Sequence, residues 1–243
     1  MDNQQPDRLV LGFDDTLMDK LVKCYIVWLY LLFPHMLVFG STGSGKTYFV
    51  KLLLGRIGLN ISGAIVILCD FKADDFKFAA NRQNYYSFKD CTEGLDRFYN
   101  IFQARQQGID KSRTFVLLVF DEWASYLNML DKKEAEAAKT KLATLLMLGR
   151  SFNVHVLISQ QRADAEYFAK SRDNFSVVIA LGNISKESKQ MFFSEHKDEM
   201  LPCKRGEGYM LTNGTELKRL LVPTTDNPTK VDHYIKKALG NKK

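Results

Sequence analysis

Short apolar runs rich in β-branched and aromatic residues recur along the chain, separated by longer amphipathic stretches. The runs predict strands at Met36–Phe39, Ala64–Cys69, Phe115–Phe120, Val154–Ser159 and Ser176–Leu181. The stretches between and after them predict helices at Thr47–Ile57, Thr92–Gln107, Lys132–Leu148, Lys186–Phe193 and Pro228–Leu239. Near-continuous apolar strands alternating with amphipathic helices require a mainly parallel sheet covered on both faces. The fold class is therefore α/β.

The ends differ from this rhythm. Arg8–Asp15 reads as a strand leading into a small hairpin, and Asn213-Gly214 between two apolar runs is a strong hairpin signal. Asn227-Pro228 supplies an N-cap and a first-turn proline for a final helix carrying Val231, Tyr234, Ile235 and Ala238 on one face. The expected organisation is an opening β segment over 1–35, a core over 36–225 and a basic amphipathic helix and tail over 226–243. One run, Cys24–Gly40, is apolar enough to suggest a membrane, but Pro34 and His35 break it and it falls short of the about 20 residues of a spanning helix. It predicts two buried strands joined at Pro34, with no integral membrane segment. The first residues are polar and acidic, unlike a secretory signal.

Composition adds little. The chain has 243 residues, is 46% hydrophobic and 26% charged, and carries a formal net charge of +6, which suits a polyanion partner without demanding one. The four cysteines have no metal-binding spacing, so a reducing cytosol is the expected compartment.

Chemistry enters at Gly40-Ser41-Thr42-Gly43-Ser44-Gly45-Lys46-Thr47, which fits the phosphate-loop pattern in full between a predicted strand and a predicted helix. Its glycines permit left-handed backbone, so successive N–H groups can form an anion nest at the positive end of the helix. Lys46 is placed to meet the β- and γ-phosphates of ATP, and the Thr47 hydroxyl to bind Mg²⁺. A second apolar strand delivers Asp121 and Glu122 at its C-terminal end, the edge where open α/β sheets bind ligands. Asp121 would hold Mg²⁺ through water, and Glu122 would orient and deprotonate the attacking water. Kinases and small GTPases generally lack this glutamate, whereas ATPases that do mechanical work usually have it. The Val154–Ser159 strand would bring Gln160, Gln161 and Arg162 level with the nucleotide.

The segments FPHMLVFGSTGSGKT, ILCDFK, LLVFDEWASYL, LGRSFNVHVLISQQRADAEYF and ISKESKQMFF…GEGYML occur in the order and rough spacing of FtsK/SpoIIIE-type DNA translocases, and over roughly Leu9–Thr225 the chain resembles that family and the wider FtsK–HerA group of conjugative coupling and packaging ATPases. The resemblance implies a RecA-like P-loop NTPase core of the ASCE type, with the Val154–Ser159 strand between those ending at Gly40 and Asp121. It also implies a homo-oligomeric ring, usually a hexamer, that threads double-stranded DNA while hydrolysing ATP with Mg²⁺. By position, Lys46 and Thr47 bind nucleotide, Asp121 and Glu122 serve metal and water, and Gln161 is the phosphate sensor. Arg150 matches an arginine near the subunit boundary, and Lys72, with Asp70, matches an Asp-Pro-Lys site facing the ring interior or a neighbour.

Gln160-Gln161-Arg162-Ala163 departs from the family's Thr-Gln-Arg-Pro, and the chain shows neither a multi-span anchor nor a C-terminal reader of DNA sequence. These features favour a motor of a mobile element, plasmid or phage, cytoplasmic or recruited to the membrane by a partner such as a relaxase, secretion channel or anchor protein. Arg105, Lys111 and Arg113 in one loop, and Arg162, Lys170 and Arg172 in another, are candidate phosphate contacts. Competing expectations are a coupling or packaging ATPase, a nucleotide-gated assembly factor and a metabolic kinase.

Overall fold

The computed structural model describes residues 7–18, 22–168 and 170–242; the outermost parts of the opening and closing segments (1–6 and 243) and residues 19–21 lie outside them. The elements in chain order are β1 (Arg8–Asp14), α1 (Asp15–Met18), β2 (Tyr25–Leu29), β3 (His35–Phe39), α2 (Lys46–Asn60), β4 (Ile65–Asp70), β5 (Tyr85–Ser87) and α3 (Cys91–Gln106). They continue with β6 (Val116–Asp121), α4 (Trp123–Met129), α5 (Lys132–Leu148), β7 (Val154–Gln160), β8 (Val177–Leu181), α6 (Lys186–Phe192), β9 (Glu207–Thr212), β10 (Glu216–Leu221) and α7 (Pro228–Ala238).

All strands join one ten-stranded sheet in the order β2-β1-β10-β9-β8-β3-β7-β6-β4-β5. From β8 to β5 the neighbours are parallel, and from β8 outward through β9, β10, β1 and β2 they are antiparallel. The strand β7 lies between β3 and β6, as the resemblance implied. Central strands β3, β6, β7 and β8 are buried along their whole length because helices cover both faces. One face packs Phe98 and Phe102 of α3, Trp123 and Tyr126 of α4 and Leu142 and Leu145 of α5. The other packs Phe49, Leu53 and Ile57 of α2 with Ile235 of α7.

Local signals set several boundaries. At the start of α5, Asp131 and Glu134 form a reciprocal capping box, with Glu134 N donating to Asp131 Oδ1 at 2.8 Å. Asn227 caps α7 by accepting from Lys230 N at 2.9 Å, and Asn213 and Gly214, both at positive φ, turn β9 into β10. The final helix docks on α2, where glycines permit a close approach: a Cβ at Gly58 would lie 2.0 Å from Tyr234 O.

One expectation is corrected. Of the two strands joined at Pro34, only β3 is central and buried, whereas β2 is the outer edge strand. Its exposed Tyr25 alternates with buried Ile26 and Trp28, the pattern of a one-sided edge rather than a buried core strand. Among the described residues no helix is long and apolar enough to cross a membrane.

Candidate functional site

The buried strand β3 ends at Phe39 and α2 begins at Lys46, so Gly40–Gly45 must turn sharply at the C-terminal edge of the sheet. Gly45 caps α2 in the left-handed region at φ 104°, a conformation that favours glycine. A Cβ at Gly40 would meet Leu181 O at 2.2 Å, so strand β8 also demands a glycine there. Lys46 Nζ folds back on the loop, donating to Gly40 O at 2.6 Å and Ser41 O at 3.3 Å. Burial pulls this ammonium below its ordinary value, and the Glu122 and Asp121 carboxylates offset part of the shift. Gly206, from the segment before β9, donates its N–H to Ser44 O at 3.0 Å.

The second half of the site lies on β6, one strand beyond β7. Asp121 is opposite Ser159 on β7 and Asp70 on β4. Burial pushes its carboxyl up to about 7; the Ser159 hydroxyl beside it, which has no well-aligned hydrogen bond of its own, draws it partway down, and Glu122 and Asp70 raise it. Glu122 adopts φ 61° and ψ 49°, with its N–H donated to Ser159 O at 2.7 Å. Its side chain is 4% exposed and pairs with Lys72, Nζ to Oε1 2.7 Å. Thr47 Oγ1 donates to Asp75 Oδ2 at 3.4 Å. The loop, Lys46, Thr47, Asp121 and Glu122 are thus gathered at one edge, and the donor set suits a triphosphate: backbone N–H groups and a lysine for the anion, a hydroxyl and a carboxyl for an accompanying cation.

Lys72 points into the site within this chain, held by Glu122, with its side chain part-exposed. Burial works against its charge, but the hydrogen bond and charge of Glu122 more than offset this and leave it above its ordinary value. Asp70, by contrast, is structural: it accepts from Ala73 N at 3.1 Å, Phe76 N at 3.2 Å and Tyr85 Oη at 3.0 Å.

Strand β7 ends differently from its neighbour. Gln160 is fully buried opposite Phe39, its amide atoms unpartnered, whereas Gln161 and Arg162 are exposed. These two line a cleft of about 480 Å³ with Gly40, Ser41 and Thr42. Gln161 is therefore the glutamine beside the phosphate loop, and Gln160 is directed into the aromatic core.

The remaining candidates do not converge. Arg105 is overturned as a surface contact, because its guanidinium is buried and donates to Asp110 Oδ2 at 3.1 Å, Thr114 O at 3.0 Å and Phe152 O at 2.8 Å. Lys111 and Arg113 are exposed in the loop entering β6, at the edge away from the phosphate loop. Lys170 is exposed, and Arg172 is half-buried over the Phe192 ring. Arg172 and exposed Arg150 line a cleft of about 660 Å³ with His35 and Ser176, at the starts of β3, β7 and β8. Arg150 therefore stands at the opposite end of the strands from its own chain's Gly40–Thr47. Sequence reasoning missed Asp75 and the contact of Gly206 with the loop. The charged turn Asp70–Asp75 after a strand beside β6 was the available signal for the former; nothing local signalled the latter.

Comparison with known proteins agrees with this geometry. Residues 16–90 match the family described as Helicase HerA, central domain. The Ftsk domain-containing protein YdcQ of Bacillus subtilis (strain 168) is 29% identical over 204 residues, covering 76% of this chain, which spans 42% of that protein. The fold is similar to the pCW3 conjugation coupling protein TcpA in its monomer form with ATPγS, with a TM-score of 0.73, 18% identity and coverage of 95% of this chain and 72% of TcpA. It is also similar to the cytoplasmic domain of the Type VII secretion ATPase EccC of Thermomonospora curvata, with a TM-score of 0.69, 18% identity and coverage of 99% of this chain and 32% of EccC. With a phosphate loop, an acidic pair on β6 and a strand between them, the chain is similar in sequence and in fold to P-loop ATPases of the FtsK/HerA type.

Proposed function

We propose that the chain is an ATP-driven motor that moves or transfers double-stranded DNA as a ring of identical subunits, hexameric as in the family it resembles, in a mobile element, plasmid or phage. The observation that carries this reading is Glu122, which stands beside Asp121 at the same sheet edge as Lys46. A switch that only binds nucleotide gains little from such a base.

Thr47 and Asp121 would hold Mg²⁺, which when bound neutralises charge developing on the phosphates. Lys46 would exchange its contacts with Gly40 and Ser41 for the β- and γ-phosphate oxygens. Glu122 takes a proton from water as the water oxygen bonds the γ-phosphorus, and the bond to the bridging oxygen breaks to release ADP. Gln161, exposed at the loop, would report which nucleotide is present. Arg150, at the opposite edge, suits donation to a neighbour's site, where an arginine typically contributes ~10³–10⁵ in rate. Residues 36–225 form the motor core in this reading, with 1–35 and 226–243 as accessory segments. The exposed cations Lys111, Arg113, Arg162 and Lys170 are the remaining candidates for phosphate contacts along DNA.

The similarity to TcpA, named as a conjugation coupling protein, favours a second reading in which DNA is handed to a protein channel, with a relaxase, channel or anchor protein as partner at the membrane. Steady-state ATP hydrolysis tests the first reading, with no DNA, long duplex DNA and single-stranded DNA, and Lys46→Ala as the control. Salt-sensitive stimulation by duplex DNA supports it, since phosphate contacts weaken as salt rises. Turnover indifferent to every nucleic acid contradicts it. If Glu122→Gln hydrolyses ATP normally, Glu122 is not the base; wild-type chain that binds ATP and assembles without turning it over would instead be a nucleotide-gated assembly factor.

A further inference from the structure

The base of a hydrolytic site must be aimed as well as present, and Glu122 gets its aim from outside its own element. It lies one residue past β6, in a left-handed conformation that typically stores ~1–3 kcal/mol in a residue with a side chain. Its backbone is fixed on both sides: the N–H donates to Ser159 O at 2.7 Å, and the carbonyl accepts from Tyr126 N at 3.0 Å. The carboxylate is not bound by either neighbour. Among the described residues its ion-pair partner is Lys72 at 2.7 Å.

The segment bearing Lys72 is itself anchored. Asp70, the last residue of β4, clamps the following turn through Ala73 N and Phe76 N, and Tyr85 of β5 holds the same carboxylate. Phe71 N donates to Asp121 O at 3.4 Å, so the turn starts hydrogen-bonded to β6. The other charges in the group are Lys46, Asp75 and Asp121. Lys46 is committed to the carbonyls of Gly40 and Ser41. The two lysines therefore divide the site, one at the phosphate loop and one at the carboxylate.

We propose that Lys72 is a positioning residue for hydrolysis, its ammonium holding the Glu122 carboxylate in one orientation while itself touching neither nucleotide nor metal. This rests on Glu122 being the base. In the step concerned Glu122 takes the water proton, and Lys72 keeps its own throughout. The Lys72 side chain is 43% exposed, so replacing it removes little buried surface, and the melting temperature reads the cost of leaving the buried Glu122 carboxylate unpaired.

The test compares ATP hydrolysis by the whole chain, with and without duplex DNA, for wild type, Lys72→Met, Lys72→Arg, Glu122→Gln and the Lys72→Met/Glu122→Gln pair. Melting temperature and affinity for a fluorescent ATP analogue are measured alongside. Losing the aim of a reacting group costs roughly 10–100-fold, so Lys72→Met should lower kcat by that factor with KM for ATP within about twofold of wild type. Lys72→Arg should recover part of the loss. In the Glu122→Gln background Lys72→Met should change nothing further, because the group it orients is already gone. A Lys72→Met kcat within about twofold of wild type overturns the proposal, as does a raised KM with kcat intact, which would put Lys72 on the nucleotide. Normal turnover by Glu122→Gln would instead sink the assignment of the base, a separate failure.

Discussion

In protein free of nucleotide and metal, the stability of Asp121→Asn relative to wild type should be greatest at pH 8 and should shrink as the pH falls. Burial lifts the Asp121 carboxyl from 3.8 to about 7. Between those values the folded chain holds a proton that the unfolded chain has released, so this group makes stability fall as pH rises. At about 1.4 kcal/mol per pK unit, the penalty approaches roughly 4 kcal/mol at pH 8 and about 2 kcal/mol at pH 5. Asparagine has the same shape and does not ionise. Its own packing and hydrogen bonds set a constant offset, so the informative quantity is the change: the advantage of the variant should drop by about 2–3 kcal/mol from pH 8 to pH 5. For a chain of this size that corresponds to roughly 4–12 °C in melting temperature. Urea midpoints at pH 5, 6.5 and 8 in chelator would measure it, and other titrations common to both chains cancel in the comparison. A difference independent of pH, or one that grows on acidification, would show that Asp121 does not store this strain.

The other predictions concern the scaffold. His35 and His155 are buried, and burial lowers both to about 3, while His155 stacks on Phe115 at 4.6 Å. The unfolded chain therefore takes up their protons first, so stability should be full above about pH 6.5 and fall below it by up to about 1.4 kcal/mol per pH unit per histidine. Urea midpoints of the Asp121→Asn chain, which lacks the opposing carboxyl, should show that slope; a flat profile would refute it. Gly58→Ala should destabilise by about 1–3 kcal/mol, since its Cβ would stand 2.0 Å from Tyr234 O and push α7 off α2; an unchanged urea midpoint would contradict that packing. Arg105→Ala should lose about 2–4 kcal/mol because it empties a buried site and removes the donor to the part-buried carbonyls of Thr114 and Phe152. Arg162→Ala should leave the melting temperature unchanged, and equal effects of the two would contradict the burial of Arg105.

Which parts of this structure were legible in the sequence follows from where the determining forces lie. The Lys132–Leu148 helix was predicted with its observed ends because its N-terminus is written in Asp131 and Glu134 and its C-terminus falls at Gly149. The turn at Asn213-Gly214, the cap at Asn227 and the phosphate loop are equally local. Strand β5 is three residues long and was missed because its stability comes from pairing with β4. The displacement of β2 to the outer edge depends on β1 pairing with β10, a contact between chain ends that no window of sequence contains. The same limit separates the site residues. Gly40–Thr47 and Asp121-Glu122 announce themselves by spacing, whereas the Lys72–Glu122 pair exists only because β4 and β6 are adjacent. Arg105 shows the converse: a basic residue in a polar-looking segment is buried because Asp110, Thr114 and Phe152 close around it.

The central claim is movement along DNA, and displacement of a third strand tests it most directly. A triplex-forming oligonucleotide bound near one end of a long linear duplex is incubated with the protein and ATP, and its release is followed against duplex length. The account predicts release that requires ATP hydrolysis, begins after a lag that lengthens with duplex length, and is absent with Lys46→Ala and Glu122→Gln. Brisk, duplex-stimulated ATP hydrolysis without any release of the third strand would contradict it.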